Sequence, residues 1–326
     1  MSKILLTGAC GFIGSHLTEY LIKEGHDVVA FDRYNSNNNW GWLNLSKYKN
    51  DLNVILGDIR DYDSVNKAME GCNSVFHLAA LIGIPYSYIS PLAYIRTNIE
   101  GTYNILESAR NNNLDQVLIT STSETYGSAQ YTPIDENHPL VGQSPYSASK
   151  IAADQLAISY FRSFELPIKI VRPFNTYGPR QSDRAVIPTI ISQVLSGKES
   201  VELGNIHTTR DLTYVLDTCR GFKAIFDSEN LYGKTINIGM NKEISIEGIV
   251  KMIAEALSVK ISIKSSNKRI RPAKSEVDRL VCDNSLLIES TDWTPSITLK
   301  EGISEVIKWI KDSDYEKFYR TDRYNV

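Results

Sequence analysis

Short apolar runs alternate with amphipathic segments through the first half of this chain of 326 residues. Apolar runs that end in turn residues predict buried strands, and the segments between them repeat apolar residues at helical spacing. Strands that alternate with helices predict βαβ units in a parallel sheet with right-handed crossovers. The predicted strands have the sequences KILLT, DVVAF, NVILG, SVFHLA, QVLIT and IKIVRP.

The second half of the chain is less regular. Its pattern predicts helices in RAVIPTIISQVLSGK and ISIEGIVKMIAEAL, and short strands in VELG and TINIG. We therefore predict an α/β fold with a larger domain over residues 1–180, which also receives returns from the C-terminal half. A smaller α/β lobe is predicted over residues 181–326.

Composition argues against several classes of function. The net charge of −3 is not the basic excess of a nucleic-acid-binding protein. No apolar run approaches the roughly 20 residues that span a membrane, and the N-terminus resembles a strand rather than a signal peptide. The four cysteines are far apart and the five histidines lack metal-ligand spacing. We expect a cytoplasmic protein without a metal, a nucleic-acid partner or a membrane partner.

A glycine-rich turn after the first predicted strand indicates a dinucleotide site. The sequence TGACGFIGSH spaces Gly8, Gly11 and Gly14 three residues apart, between a strand and an amphipathic helix. Glycines let the backbone approach a pyrophosphate, and the helix N-terminus supplies N–H donors. Alone, the pattern also fits a tight turn. With Asp32 at the end of the next strand, it predicts a Rossmann-type doubly wound parallel sheet.

Carboxylates after the second and third predicted strands indicate which dinucleotide fits. Asp32 can accept hydrogen bonds from ribose hydroxyls and would repel a 2′-phosphate, so NAD is favoured over NADP, although Arg33 weakens this preference. Asp58 can meet the adenine amino group or cap a helix. The other predicted cofactor contacts are Phe12, Ile13, Ile59, Leu78, Ala79, Ala80, Asn98, Tyr146 and Lys150.

The sequence SPYSASK places Tyr146 and Lys150 four residues apart, on one face of a predicted helix. A phenol has a pKa of about 10, which a nearby ammonium and a positive nicotinamide ring would lower. The phenolate could then take a proton from a sugar hydroxyl while hydride leaves the same carbon. Such pairs are common on helix surfaces, but the position of this one after a Rossmann-type half favours catalysis.

The sequence STSETYG follows the predicted strand QVLIT directly. Turn chemistry explains the hydroxyl groups of Thr122 and Ser123 at a strand end. It does not explain the carboxylate of Glu124 well. All three residues are therefore candidate catalytic groups.

The chain resembles the extended short-chain dehydrogenase/reductase family, and within it the NAD-dependent epimerases and dehydratases of nucleotide sugars. The resemblance rests on five ordered motifs: TGACGFIGSH, HLAA, STSETYG, YSASK and RPFNTYGPRQ. It implies bound NAD, a sugar nucleotide in the lobe over residues 181–326, and a homodimer formed through a helix bundle. It also places Thr122, Tyr146 and Lys150 at the catalytic hydroxyl, Tyr and Lys positions.

Within that family, Glu124 separates two branches. The resemblance implies a glutamate here in 4,6-dehydratases, whereas epimerases usually lack it, and Thr122-Ser123-Glu124 is most similar to the GDP-mannose type. The implied reaction oxidises C4, removes the C5 proton through Glu124, expels water from C6 and leaves a 4-keto-6-deoxy sugar. The proton donor to the leaving hydroxyl stays open between Ser123, a water and Glu124.

The substrate side is predicted from motifs and from a narrower resemblance. Arg180, Arg210 and Arg271 are expected to bind a diphosphate, because guanidinium groups make bidentate contacts with phosphate oxygens. The resemblance implies that these motif positions, with Asn175, contact the nucleotide diphosphate and ribose. Several stretches resemble bacterial dehydratases of nucleotide-linked N-acetylglucosamine that lead to legionaminic-type acids of cell-surface glycans. Tyr86 and Ser87 would line the sugar pocket or pack in the core. Trp40 and Trp42 would cover the site, form a dimer contact or anchor their loop.

Three functions are weighed. The leading prediction is an NAD-dependent 4,6-dehydratase of UDP- or GDP-N-acetylglucosamine. A 4-epimerase shares the oxidation at C4, so Tyr146 and Lys150 do not separate the two enzymes. A non-catalytic NAD-binding sensor or scaffold is the alternative of another class.

Overall fold

The computed structural model describes residues 1–266, 269, 272–313 and 319. The strands, numbered in chain order, are β1 (Lys3–Thr7), β2 (Asp27–Arg33), β3 (Asn53–Gly57), β4 (Ser74–His77), β5 (Gln116–Thr120), β6 (Ile168–Pro173), β7 (Asn175–Tyr177), β8 (Ser200–Leu203), β9 (Thr209–Tyr214), β10 (Thr235–Ile238), β11 (Glu243–Ser245) and β12 (Ser262–Ser265).

The α-helices are α1 (Phe12–Lys23), α2 (Tyr62–Met69), α3 (Ile84–Ile89), α4 (Pro91–Tyr94), α5 (Gly101–Asn111), α6 (Pro145–Phe164), α7 (Val186–Leu195), α8 (Val215–Asp227), α9 (Ile246–Leu257), α10 (Ser285–Ser290) and α11 (Leu299–Asp312). A π-helical segment, Ile95–Glu100, joins α4 to α5. Short 3-10 helices occupy Gly41–Leu45, Lys49–Asp51, Ser123–Tyr126, Glu229–Leu231 and Ala273–Ser275.

Within the described residues, the largest sheet has seven parallel strands in the order β10-β6-β5-β4-β1-β2-β3. The six strands predicted in the first half of the chain are all present. The strand order reverses direction beside β1, which creates the crevice where ligands bind in Rossmann-type sheets. The predicted α/β fold with a Rossmann-type parallel sheet is therefore confirmed.

Side chains that alternate along β1 enter two separate cores. Ile4 and Leu6 pack into one core, and Leu5 packs into the other on the opposite face of the sheet. Successive side chains in a strand point to opposite faces, so a strand covered by helices on both sides must be apolar throughout. This explains why the central strands appear in the sequence as continuous apolar runs.

The C-terminal half contributes to two parts of the fold. β7, β9 and β11 form a three-stranded sheet, and β8 pairs with β12. β10, however, pairs with β6 in the large sheet, and α8 packs against α1. The division at residue 180 stays a prediction.

The start of α6 is fixed by its own residues. The Ser144 hydroxyl accepts a hydrogen bond from the Ser147 N–H, and the Ser147 hydroxyl accepts one from the Ser144 N–H. Pro145 occupies the first turn. This capping box satisfies backbone groups that a helix terminus leaves without partners. It therefore holds Tyr146 in the first turn of the helix, facing the site described below.

The asparagine-rich segment after β2 anchors to the other end of the chain. The ring of Trp42 lies edge-on to Trp309 of α11, with 5.5 Å between the ring centroids. Of the three predicted roles for this loop, the structure thus shows anchoring.

No helix in the described part of the chain combines the length and apolarity needed to cross a membrane.

Candidate active site

A cavity of about 1350 Å³ lies along the carboxyl edge of the large sheet and extends into the C-terminal half. At the sheet, it is lined by residues that follow β1, β2, β3, β4, β5 and β6. At the C-terminal half, its lining includes Leu203, Gly204, Asn205, Arg210, Ile246 and Glu276. One continuous space thus joins the predicted cofactor residues to the predicted substrate residues.

The glycine turn forms one end of this cavity. Gly8 has a φ of +72°, and a Cβ on it would lie 2.8 Å from the Ala79 nitrogen. A Cβ on Gly14 would lie 2.0 Å from the Gly8 oxygen, so α1 starts directly against the turn. No side chain caps the N-terminus of α1. Its first N–H groups are therefore available to a phosphate group.

The carboxylate of Asp32 holds the backbone around this end. Its two oxygens accept hydrogen bonds from the N–H groups of Cys10, at 2.6 Å, and Arg33, at 2.7 Å. Each carboxylate oxygen can accept more than one hydrogen bond, so Asp32 retains acceptor capacity for ribose hydroxyls. Asp58 pairs with Arg60, and the hydrogen bond from that guanidinium lowers the pKa of the Asp58 carboxyl.

Every predicted cofactor contact except Asn98 and Lys150 lines the cavity. The lining residues are Gly8, Gly11, Phe12, Ile13, Gly14, Asp32, Arg33, Asp58, Ile59, Leu78, Ala79, Ala80 and Tyr146.

Asn98 lies behind the cavity wall, in the π-helical segment. Its amide bonds both backbone groups of Leu81 and the Ser149 hydroxyl, at 2.9 Å each. Asn98 therefore joins the segment after β4 to α6, which is a correction to its predicted contact with the cofactor.

The three predicted catalytic residues after β5, Thr122, Ser123 and Glu124, all line the cavity. Thr122 is extended and its hydroxyl accepts a hydrogen bond from the Glu124 N–H at 3.3 Å, which starts the 3-10 helix Ser123–Tyr126. Ser123 is 3% exposed and Glu124 is half-buried. This local turn brings the Glu124 carboxylate to the carboxyl edge of the sheet.

Tyr146 lines the same cavity, where Thr122 and Glu124 act on its phenol. Its ring lies edge-on to Tyr94 with 6.2 Å between centroids, and the residue is buried. Burial raises the pKa of the Tyr146 phenol far above its ordinary value. A hydrogen bond with the Thr122 side chain opposes this shift, whereas the charge of Glu124 adds to it. The sequence predicted a lowered pKa, but in the protein itself the loss of hydration outweighs nearby donors.

Lys150 lies one helical turn after Tyr146 on α6, outside the cavity lining. Its ammonium group donates a hydrogen bond to the Thr120 carbonyl at 2.6 Å, at the end of β5. Burial lowers its pKa, and the charge of Asp154 opposes that shift. Lys150 is thus a buried cation joined to the strand that carries Glu124.

Two predicted substrate residues need correction. The Arg180 guanidinium does not line the cavity, because it donates to both oxygens of Glu19 on α1 at 3.1 Å. Ser87 is fully buried, and its hydroxyl donates to the Ile84 carbonyl within α3. Both side chains therefore serve local structure. Arg271 lies outside the described residues.

Tyr86, Asn175 and Arg210 do line the cavity. The Asn175 Oδ1 atom is buried and has no hydrogen-bond partner among the described residues, and the same holds for Thr120 Oγ1. Both residues line the cavity. Buried polar atoms are normally paired, so these two are suited to groups on a ligand.

Sequence reasoning missed three charged residues at the substrate end. Arg184 lines the cavity just before α7, Arg269 lines it beside Gly204, and Glu276 lies 3.5 Å from the Arg210 guanidinium. Arg184 stands in the sequence RAVIPT, which carried a helix signal but no motif for binding. Only the fold shows that this end of α7 faces the cavity.

A family model described as GDP-mannose 4,6 dehydratase matches residues 5–306 of the chain. The chain belongs to this family. The match confirms the resemblance to nucleotide-sugar epimerases and dehydratases, and it makes the chain an enzyme of the GDP-mannose 4,6-dehydratase family. It covers the cofactor residues and the residues after β5 alike.

Relatives of this family member differ in their reactions. A putative UDP-glucose 4-epimerase of Methanocaldococcus jannaschii is 33% identical, over 95% of this chain and 99% of that protein. A UDP-N-acetyl-alpha-D-glucosaminuronate decarboxylase of Bacillus cytotoxicus is 32% identical, over 95% and 98%. The crystal structure of dTDP-glucose 4,6-dehydratase from Streptomyces venezuelae, with NAD and TYD bound, has a TM-score of 0.87 and 25% identity over 97% of this chain and 98% of that one. Similarity alone therefore does not select the reaction.

The contact between Gly14 and Gly8 gives a first prediction. Gly14→Ala should weaken NAD binding by more than about tenfold, because the added methyl group would push α1 away from the turn. Isothermal titration with NAD measures the change. Gly25→Ala is the matched control, since Gly25 follows the same helix with a φ of +86° and open space around it. The control should lose about 1 kcal/mol of stability and keep its NAD affinity. Equal NAD affinity for Gly14→Ala and wild type would contradict the prediction.

Proposed function

We propose that this chain is an NAD-dependent 4,6-dehydratase of a nucleotide-activated hexose. The observation that carries the proposal is the placement of Glu124, a carboxylate in the cavity lining whose charge acts on the Tyr146 phenol. An oxidation at C4 needs a base, the tyrosine, and NAD as the hydride acceptor, but no carboxylate. A carboxylate on the same side of the cavity supplies the base that an elimination needs.

The residues at the glycine turn fit NAD. The close approach at Gly8 and Gly14 and the uncapped start of α1 suit a pyrophosphate, and Asp32 suits ribose hydroxyls. Ala79 and Ala80 leave room after β4 for the nicotinamide half. When bound, NAD would accept a hydride from C4 of the sugar and return it to C6.

The side chains of the site divide the proton transfers between them. Tyr146 takes the proton from the sugar 4-hydroxyl, and the Thr122 side chain beside it favours the ionised phenol. Lys150 supplies the buried positive charge that favours the phenolate. Once C4 is a ketone, the C5 proton becomes acidic and Glu124 removes it. The proton that Glu124 takes from C5 can pass to the C6 hydroxyl, directly or through the neighbouring Ser123 hydroxyl, so that this group leaves as water.

The substrate end suits a nucleotide diphosphate. Arg184 and Arg210 are cavity cations, and Asn175 offers an acceptor that has no partner in the described part of the protein. Arg210 is held by Glu276, so a diphosphate would compete with that carboxylate for the guanidinium. We propose that the substrate is N-acetylglucosamine linked to UDP or GDP. We also propose that the enzyme acts in the cytoplasm and that its product serves the synthesis of cell-surface glycans.

The mass of the product distinguishes the candidate reactions. Incubation with UDP- and GDP-N-acetylglucosamine, followed by mass spectrometry, should show a sugar nucleotide lighter by one water. A product of unchanged mass but altered chromatographic retention would instead support a 4-epimerase, which the relative from Methanocaldococcus jannaschii favours. No conversion of any sugar nucleotide in a broad panel would point to a non-catalytic NAD-binding protein.

Two variants separate the steps. Glu124→Gln should lower dehydration by roughly 100- to 10,000-fold, the usual worth of a general base, and still allow NADH to form from bound NAD. Tyr146→Phe should lose both NADH formation and dehydration. Stopped-flow absorbance of NADH and product mass measure the two steps. Wild-type dehydration by Glu124→Gln would mean that another group removes the C5 proton.

We also propose a homodimer. Exposed apolar side chains follow one another along α3, α4 and the π-helical segment, with Ile89 at 69%, Leu92 at 55% and Ile95 at 50% exposure. Such a run of apolar side chains is typical of an interface. Leu92→Glu should convert a dimer to a monomer in analytical ultracentrifugation, whereas Leu216→Glu, an exposed leucine on α8, should not. A monomeric wild type would refute the proposal.

A further inference from the structure

A buried ion pair lies directly behind the catalytic residues. The Arg172 guanidinium donates to Asp154 Oδ2 at 2.7 Å, and Ser121 donates to the same oxygen at 2.5 Å. Arg172 also donates to the Ser121 hydroxyl at 3.3 Å. Asp154 is 0% exposed and Arg172 is 2% exposed. Three elements, β5, β6 and α6, meet through these three side chains.

This pair is an unusual choice for stability alone. Moving two charges out of water costs free energy that their attraction recovers only when the remaining polar atoms are satisfied. The second oxygen of Asp154, Oδ1, has no hydrogen-bond partner among the described residues. An apolar pair would fill the same space without leaving a buried carboxylate oxygen unpaired. The presence of both buried charges, on Asp154 and Arg172, therefore calls for a role beyond packing.

The position of Asp154 supplies that role. Asp154 lies one helical turn after Lys150 on α6, so the two side chains share one face of the helix. Its charge raises the pKa of Lys150, whereas burial and the charge of Arg172 lower it. The same carboxylate also raises the pKa of Tyr146. Asp154 thus acts on both members of the Tyr-Lys pair.

The other charged or titratable groups around this pair come from separate elements. Glu124 after β5 and Tyr94 on α4 act on Tyr146. The imidazole of His77 on β4 interacts with Lys150, and burial together with that ammonium lowers the pKa of His77 to about 3, so His77 is neutral near pH 7. The Tyr126 ring lies under the Arg172 guanidinium at 4.6 Å. Asp154 is therefore the anion that keeps two neighbouring buried cations, Lys150 and Arg172, charged together.

We propose that Asp154 and Arg172 are positioning residues that set the protonation of the Tyr146-Lys150 pair through the buried charge they hold behind it. Asp154 neutralises Arg172 and keeps the buried Lys150 ammonium protonated. Arg172 limits how strongly Asp154 opposes ionisation of the Tyr146 phenol. The proposal rests on the proposed function, because it assumes that Tyr146 acts as a phenolate and Lys150 as an ammonium.

The test is the pH dependence of kcat/KM of the NAD-bound enzyme, in which the positive nicotinamide ring favours the phenolate. Its acid limb would then report Tyr146 and its alkaline limb Lys150. Asp154→Asn should move both limbs to lower pH by roughly one to two units, the size expected for a charge one helical turn away. Arg172→Gln should move the alkaline limb to higher pH. The double variant Asp154→Asn/Arg172→Gln should return both limbs towards wild type.

A second readout does not depend on turnover. Ultraviolet absorbance of tyrosinate, taken as the difference between each protein and its Tyr146→Phe counterpart, titrates Tyr146 directly. This midpoint should fall in Asp154→Asn. Asp217→Asn is the matched control, since Asp217 is also a fully buried carboxylate paired with an arginine, Arg220, but it lies on α8 and accepts hydrogen bonds from the N–H groups of Ser296 and Ile297. The control should lose stability and leave both limbs unmoved.

The outcomes separate this proposal from the proposed function. Unmoved limbs and an unmoved Tyr146 midpoint in Asp154→Asn, while Tyr146→Phe is inactive, would overturn only the role of the ion pair. Normal turnover by Tyr146→Phe would overturn the proposed function, and the absorbance titration would still measure the effect of Asp154. Should Asp154→Asn fail to fold, Arg172→Gln decides, because an alkaline limb that stays in place or moves down refutes the proposal.

Discussion

All seven strands of the large sheet run in one direction, and the placement of the site depends on this constraint. Parallel pairing brings the carboxyl ends of consecutive strands to one edge, where the chain must turn into helices. The glycine turn, Asp32 and Glu124 each lie at the carboxyl end of a different strand or directly after it, and all of them line one cavity. The chemistry at this edge is therefore a consequence of backbone direction before any side chain is considered.

Desolvation is the second condition that shapes the site. Tyr146 and Lys150 are both buried, and burial shifts their pKa values in opposite directions, each towards the neutral form. The reaction that we propose needs both in the charged form. The charges around the pair must therefore offset burial, which is the role that we propose for the carboxylate on α6 and the guanidinium on β6. The same logic applies to ligands, since a cationic ring beside Tyr146 would favour the phenolate.

Much of the fold followed from the sequence because buried parallel strands appear as apolar runs and because glycine spacing has a steric cause at Gly8 and Gly14. The candidate catalytic residues after β5 could be predicted because turn chemistry does not explain a glutamate at position 124. The direction of long side chains did not follow. Arg180 binds Glu19, 161 positions away in the chain. Its motif therefore predicted where the residue lies in the fold but not the direction of its side chain. Arg184 and the pair of Asp154 with Arg172 were missed for the same reason, because their partners meet only in the folded protein.

One strand of the large sheet, β10, is synthesised long after its neighbour in the sheet, β6. β6 pairs with β5 on one side and with β10 on the other, and β10 lies more than sixty residues further along the chain. During synthesis, the first six strands leave the ribosome while the outer edge of β6 still has no neighbour, and exposed strand edges promote association between nascent chains. The C-terminal half therefore carries a protective element for the N-terminal half, and an enzyme truncated before β10 would expose that edge permanently.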